Sequence, residues 1–319
     1  MKQEILRILT KNSGYVSGEE ISNILKVSRT AVWKHIKTLR REGYVIESQP
    51  RLGYRLILEP DLLLPEQIKS KLNADFMGKK IFYYDTVTST NDEAKRIASL
   101  GFDEGTVVIA EQQTGGRGRR GRCWLSPKHE GIWVSIILKP SISPVNAPKL
   151  TMLAAVSIVK AIKEVTGLST GIKWPNDILY NNKKIVGILT ELSAEIDLIN
   201  YIILGMGINV NTESFPDELK EIATSLKIET GKKVDRVKLL CRLLELFEQD
   251  YKEFLEAGFS NILNKWRKYS ITLGKKVRVI GLDTSLEGEA VDVTDDGALI
   301  IKKPDGNTVE VLSGDVSIR

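Results

Sequence analysis

The stretch Glu111-Gln-Gln-Thr-Gly-Gly-Arg-Gly-Arg-Arg-Gly-Arg-Cys-Trp124 constrains this chain more than any other. Gly115, Gly116, Gly118 and Gly121 are interleaved with Arg117, Arg119, Arg120 and Arg122, and Trp124 closes the run with a flat apolar ring. Glycine at this density weakens any helix or strand, and frees the backbone to take positive φ and to come very close to a ligand. The guanidinium forks suit carboxylate or phosphate. Gly105–Ala110 before the run and Ile132–Leu138 after it read as short buried strands. The loop is therefore expected at the end of a sheet, where ligands sit. A solvated basic loop or a nucleic-acid patch would use the same residue types, so the rest of the chain must decide.

A chain of 319 residues is long enough for two or three domains. No apolar run approaches the roughly 18 residues of a membrane span, and the N-terminus lacks a secretory h-region. The expectation is a cytoplasmic protein with no membrane partner. Two cysteines and two histidines make neither a disulfide framework nor a metal cluster. The protein alone is expected to build no metal site, and any Mg²⁺ would arrive with a phosphate ligand.

The charge is unevenly placed. Residues 1–60 hold eleven Lys/Arg against six Asp/Glu, which accounts for the whole net charge of +5. A basic end on an otherwise neutral chain points to a polyanion partner for that end. Ile5, Leu6, Ile8 and Leu9 have helical spacing. Ser17-x-x-Glu20 is a capping-box signature, followed by Ile21, Ile24 and Leu25. Ser28 can cap a third helix from Arg29 to Arg41, with Val32, Ile36 and Leu39 as its inward stripe. Tyr44–Ile46 and Tyr54–Ile57 follow as a hairpin. Helix, helix, basic helix, hairpin is the order of a winged helix-turn-helix. Ser28, Arg29, Thr30, Lys34 and Lys37 are the expected DNA contacts in a major groove, with Arg51 at the wing tip. Trp33 is ambiguous, a tryptophan there being more often a core or packing residue than a base contact, and His35 is expected to be incidental.

Glu59-Pro-Asp61 reads as a linker, giving domains at 1–60, 61–270 and 271–319. The middle part mixes strand and helix patterns. Thr86–Asn91 gathers hydroxyls and an amide at a helix start, where exposed N–H groups add donors. Ala147–Val165 has a helical stripe. Gly171–Ile178 contains Lys173, Trp174, Asn176 and Asp177 around Pro175, which suits a strand end. Lys183–Leu189 and Tyr201–Asn209 read as strands, and Gly205 and Gly207 leave room for a flat ligand on the backbone. Residues 234–269 look helical, with Cys241 an inert buried thiol. The last part changes to four short strands with Asp296-Gly297 and Asp305-Gly306 turns, a small SH3-like β-barrel. The expected fold is multidomain α+β: a winged helix-turn-helix, a central mixed α/β domain and a small barrel.

Five segments in order carry a resemblance. They are Ser89-Thr90-Asn91; Gln113-x-x-Gly116-Arg117-Gly118-Arg119-x-Gly121-Arg122-x-Trp124; Lys173-Trp174-Pro175-Asn176-Asp177; Lys184-x-x-Gly187-Ile188-Leu189; and Gly205-x-Gly207-Ile208-Asn209. With the winged helix in front and the barrel behind, the chain resembles the family of bifunctional biotin–protein ligases and biotin operon repressors, over essentially its whole length. Cys123 departs from the basic or polar residue expected in the loop.

The resemblance implies ATP-dependent formation of biotinyl-5′-AMP and transfer of biotin to a lysine of the biotin carboxyl carrier protein. It also implies repression of biotin genes at an operator DNA, with biotinyl-5′-AMP as corepressor and a homodimer when that ligand is bound. Ser89, Thr90 and Gln113 would bond the ureido ring of biotin. Asn91, Arg117, Gly118, Arg119, Lys184, Gly187, Gly205 and Gly207 would complete the biotin site. ATP would meet Arg119, Arg120, Arg122, Lys173, Lys184 and Asn209. Trp124 would pack on its adenine, and Asn176 and Asp177 would lie by the phosphates or Mg²⁺. Lys184 and Arg119 would be catalytic. A carboxylate attacking ATP needs preorganised cations and N–H groups rather than an acid–base histidine. The alternatives are a lipoate–protein ligase, which resembles the same central domain, and a repressor that only binds an effector.

Overall fold

A computed structural model describes every residue except 42–43, 59–60, 196–197, 281–284 and 319. Residues 59 and 60 of the expected linker Glu59-Pro-Asp61 lie outside the described residues. The chain divides into two compact units, Met1–Asp61 and Leu62–Arg319.

In the first unit α1 (Lys2–Lys11), α2 (Gly18–Leu25) and α3 (Arg29–Arg41) precede a hairpin of β1 (Val45–Gln49) and β2 (Gly53–Leu58). Both expected caps form. Ser17 Oγ accepts from Glu20 N at 3.0 Å, and Ser28 Oγ accepts from Ala31 N at 3.2 Å. Ile5, Leu9, Ile21, Val32, Ile36 and Leu39 meet in one small core. The hairpin is tied to the helices by a bridge between Val16 and Tyr54. That closeness demands Gly53, since a Cβ there would lie 2.1 Å from Val16 O at a φ of +109°. Trp33, ambiguous between packing and base contact in the sequence, is 50% exposed.

The second unit begins with α4 (Pro65–Lys71), β3 (Ile81–Tyr84), α5 (Thr90–Ser99), β4 (Val107–Ala110) and β5 (Gly131–Leu138). Then come α6 (Ala147–Thr166), β6 (Gly171–Lys173), β7 (Asp177–Tyr180), β8 (Lys183–Ala194) and β9 (Ile199–Asn209). α7 (Leu226–Thr230), α8 (Arg236–Ala257) and α9 (Ser260–Tyr269) follow. The seven strands form one sheet in the order β3-β4-β5-β9-β8-β7-β6. Only β3 and β4 run parallel. Ile132, Val134, Ile136 and Leu138 of β5 face α6, α8 and α9 in the main core. The opposite face packs on α5 through Ala94, Ile97, Val108, Ile137 and Ile203. α6 is as long and apolar as a membrane span, yet 67% of that stretch is buried inside the protein, as expected of a core helix.

The chain ends in β10 (Lys276–Ile280), β11 (Ser285–Val293), β12 (Leu299–Lys302), β13 (Thr308–Val311) and β14 (Asp315–Ile318). They form a five-stranded antiparallel sheet in the order β13-β12-β11-β10-β14. The fifth strand was not expected, and β13 and β14 are the two ends of the ladder. This sheet shares the main core through Val277, Val279, Ala290 and Leu299. It is also bonded to the end of β6, where Trp174 N donates to Thr272 Oγ1 at 2.9 Å and Trp174 Nε1 to Gly297 O at 3.0 Å.

One fully buried ion pair holds the unit's front together. Glu111 accepts from Arg236 at 2.9 Å and from Leu63 N at 2.7 Å, and both side chains are 0% exposed. Removing one partner leaves a buried uncompensated charge. Arg236→Met is expected to cost about 3–5 kcal/mol in urea unfolding. Adding Glu111→Gln to it should recover a large part of that loss.

Candidate active site

The motif residues converge on one cavity of about 560 Å³ at the end of the large sheet. The first turn of α5 supplies Ser89, Thr90 and Asn91, all buried. Ser89 is the N-cap residue, but its side chain makes no capping hydrogen bond. Thr90 N and Oγ1 both donate to Gln113 Oε1, at 2.9 and 3.1 Å, and Gln113 Nε2 donates to Ser126 Oγ at 2.9 Å. Asn91 Nδ2 donates to Glu191 Oε2 at 2.6 Å, and Asn91 Oδ1 accepts from Ser135 Oγ at 2.6 Å. These groups lock one another into fixed directions. They form a small polar patch in an otherwise apolar wall, the arrangement that orients a compact polar ring.

The glycines of β8 and β9 are filled from within the chain. Trp124 lies on the backbone of Gly187 and Gly207: a Cβ on Gly207 would meet its Nε1 at 2.3 Å, and one on Gly187 its ring at 2.8 Å. Asn91 lies over Gly205. The expectation of a flat ligand directly on Gly205 and Gly207 is thus corrected: an indole and an amide occupy those places. Trp124 then stands among the residues expected to hold biotin.

The cationic side of the cavity comes from three directions. Lys184 on β8 pairs with Asp177 at 2.6 Å and stands 5.2 Å from the Trp124 ring centre. Lys173 at the end of β6 is held below the usual lysine range, first by burial, while Asp177 opposes the shift. Burial also lowers Arg119, with Asp315 and Asp177 opposing. Arg119 donates to Asn176 Oδ1 at 3.2 Å and Gly314 O at 3.3 Å, while Asn176 Nδ2 donates to Ile188 O at 2.8 Å. Five cations line the cavity (Arg117, Arg119, Arg122, Lys173 and Lys184) against the carboxylates of Asp177 and Asp315. That surplus of positive charge behind a desolvating wall fits a bound polyanion.

Gly118, Gly187, Gly205, Gly207 and Asn209 also line the cavity, and so does every other expected ligand residue but one. The exception is Arg120. Its φ of 55° belongs to a tight turn, and its guanidinium reaches Ile280 O at 3.2 Å and Asp315 at 3.4 Å instead. Arg122 joins it on Asp315 at 2.5 Å. The small C-terminal sheet thus holds the Gly-Arg loop through Gly314 and Asp315, a contact between residues nearly 200 positions apart that no local pattern could show. Ser126, Ser135 and Glu191 were missed as well. Ser135 did leave a signal, as a lone hydroxyl inside the apolar strand Ile132–Leu138. Phe215, Leu219 and Ile222 form a further apolar wall.

No cluster of three or more metal-type side chains occurs among the described residues. Asp177 and Asp315 are the carboxylates on the cavity wall. Cys241 is buried, and its thiol is pushed up to about 12, first by burial, which makes it inert at neutral pH. In the first unit Ser28, Arg29, Thr30, Lys34, Lys37 and Arg51 are all exposed, the first five at the start of or along α3 and Arg51 at the wing tip.

Comparison with known proteins agrees along the whole chain. Residues 83–209 match the model of the biotin/lipoate A/B protein ligase family, 2–55 an HTH domain, and 272–319 the biotin protein ligase C-terminal domain. The bifunctional ligase/repressor BirA of Bacillus spizizenii is 42% identical over 100% of this chain and 98% of its own length. That of Escherichia coli is 29% identical over 98% and 95%. A solved biotin protein ligase from Aquifex aeolicus, in complex with biotin and ATP, is 34% identical and superposes with a TM-score of 0.67, covering 76% of this chain and 99% of that one.

Proposed function

The chain belongs to the biotin/lipoate protein ligase family as a bifunctional biotin ligase and repressor, and from that premise we propose how its cavity works. It joins biotin to ATP as biotinyl-5′-AMP with release of pyrophosphate. It then passes the biotin to a lysine of a biotin carboxyl carrier protein with release of AMP. The observation that carries the assignment of roles is Lys184. It lines the same cavity as Thr90, Asn91, Gln113 and Asn176, pairs with Asp177 and lies over the Trp124 ring.

Ser89, Thr90 and Gln113 hold the ureido ring, and Trp124 borders the ring system of biotin rather than the adenine. Lys184 draws the biotin carboxylate to the α-phosphate and faces the charge that builds there as the carboxylate oxygen attacks. Arg117, Arg119, Arg122 and Lys173 face the phosphates. Two anions must be brought together, and fixed cations in a water-poor site do this at little reorganisation cost. Mg²⁺, when bound with the nucleotide beside Asp177, neutralises phosphate charge. No histidine lines the cavity, and the reaction requires none.

The Gly-Arg loop closes over the product. A mixed anhydride survives only where water is kept out, and Arg119, tied to Asn176 and Gly314, clasps the loop down. The same protein acts in the cytoplasm as a repressor, with residues 1–61 on operator DNA. We assign three working parts, 1–60, 61–270 and 271–319, the third acting as the anchor of the loop. Dimerisation is assigned to β8, whose Thr190–Ala194 pair with β9 alone among the described residues. A free strand edge of that kind can pair with its own copy. Biotinyl-5′-AMP orders the loop and so favours the dimer, and operator and ligand tighten each other by the same factor.

Lys184→Ala should lower biotin-dependent ATP–pyrophosphate exchange by about a hundredfold or more, since one positioned charge is worth on the order of 3 kcal/mol. Near-normal exchange would remove Lys184 from the mechanism. Arg119→Gly should shorten the half-life of bound biotinyl-5′-AMP and label bystander lysines; labelling confined to the carrier protein would refute the clasp. A non-hydrolysable biotinyl-5′-AMP analogue should shift sedimentation from monomer to dimer and tighten operator binding in parallel. Thr190→Pro should abolish both shifts, and a dimer that survives it does not use this edge.

A further inference from the structure

Half of the Trp33 surface is open to water, an unusual place for the largest apolar side chain on a surface helix. Its neighbours give it a context. On α3 the positions 29, 30, 33, 34 and 37 share one face at helical spacing. The residues there are Arg29, Thr30, Trp33, Lys34 and Lys37, all exposed. Val32, Ile36 and Leu39 form the buried stripe. The indole sits among cations on the flank of the helix, beside that stripe and half open to water. Lys37 Nζ lies 5.2 Å from the ring centre. A cation at that distance over a π face is attracted to it and steadies the ring in one orientation.

A basic face alone explains attraction to phosphates, and phosphate contacts carry no sequence information. A rigid flat ring among the cations has another use. The major groove offers one apolar feature, the thymine C5-methyl group. The partner that meets both the charge and the ring is therefore duplex DNA read in its major groove. We propose that Trp33 is a base-reading residue, whose indole packs on a thymine methyl and supplies sequence preference beyond that of the surrounding cations. The proposal rests on the reading of residues 1–61 as the operator-binding unit. It adds which side chain reads a base and which base it reads.

The test uses the full-length protein with biotin and ATP present. A random-sequence DNA library is enriched on wild-type protein, and the winning duplex is then bound by wild type, Trp33→Ala and Trp33→Phe. Trp33→Ala is expected to bind that duplex about tenfold more weakly, with Trp33→Phe in between. Its binding to random-sequence duplex and the slope of affinity against salt should stay unchanged, because no phosphate contact is lost. Thymines are then replaced one at a time by deoxyuridine, which lacks only the methyl group. At least one position per half-site should weaken wild type several-fold and leave Trp33→Ala unaffected. Equal binding of wild type and Trp33→Ala to the enriched duplex, or no deoxyuridine position sensitive to Trp33, would overturn the proposal. So would altered biotin transfer by Trp33→Ala, which would mean that the ring packs on the catalytic unit. If wild type enriches no sequence at all, the operator reading itself falls and takes the proposal with it, an outcome distinct from the others.

Discussion

The buried pair of Glu111 and Arg236 is the constraint on which the front of the molecule depends. Glu111 directly follows β4 and begins the Gly-Arg loop, and its carboxylate also takes the N–H of Leu63, at the start of the second unit. His129, just beyond that loop, stands 3.1 Å from the same carboxylate. Arg236 comes from the first turn of α8 and also donates to Gly131 O, at the head of β5, at 2.8 Å. One charge pair thus fixes the entrance to the unit, both ends of the loop and the long helix behind the sheet. Such a pair gives little net stability over an apolar substitute. Its value lies in direction: each bond is satisfied by one partner arrangement, so the two ends of a glycine-rich segment stay in register while its middle stays adaptable.

That adaptability is what the cavity uses. Three of the five cavity cations, Arg117, Arg119 and Arg122, are carried by a loop whose backbone has little stiffness of its own, and so they need outside anchors. Asp315 and Gly314 provide them from a sheet that shares no local sequence with the loop. Exposed ion pairs of this type are individually weak. Three arginines are thus held by a single corner. Burial lowers the proton affinity of Lys173 and Arg119, and the carboxylates of Asp177 and Asp315 oppose it.

Much of the fold and site was legible before any coordinates. The caps at Ser17 and Ser28, the inward stripe of Val32, Ile36 and Leu39, and the long apolar α6 are local, and they formed as read. The expected ligand residues other than Arg120 do meet in one cavity, because glycine, proline and paired charges at strand ends are themselves local signs of a site. Arg120 could not be told from Arg119 or Arg122 by residue type. A positive φ in the turn sends it outward, and that depends on how the loop is anchored. Trp33 stayed ambiguous because an aromatic residue beside an inward stripe can belong to the core or to the surface unless the helix's rotation is known.

By itself the sequence determined the order of most elements, the basic character of the first sixty residues, and most of the side chains able to meet a carboxylate, a phosphate and a polar ring. Those properties reside in single residues and in spacings of two to four positions, which short-range sterics and hydrogen bonding enforce. Only the tertiary structure decided that Trp124 fills the glycine face of β8 and β9, that Asp315 and Gly314 grip the loop, and that Ser135 and Glu191 orient Asn91. Each of those depends on contacts between distant segments. Such contacts form only after the apolar faces of β5, α6 and α8 have closed into one core, and no local pattern carries the register in which they close.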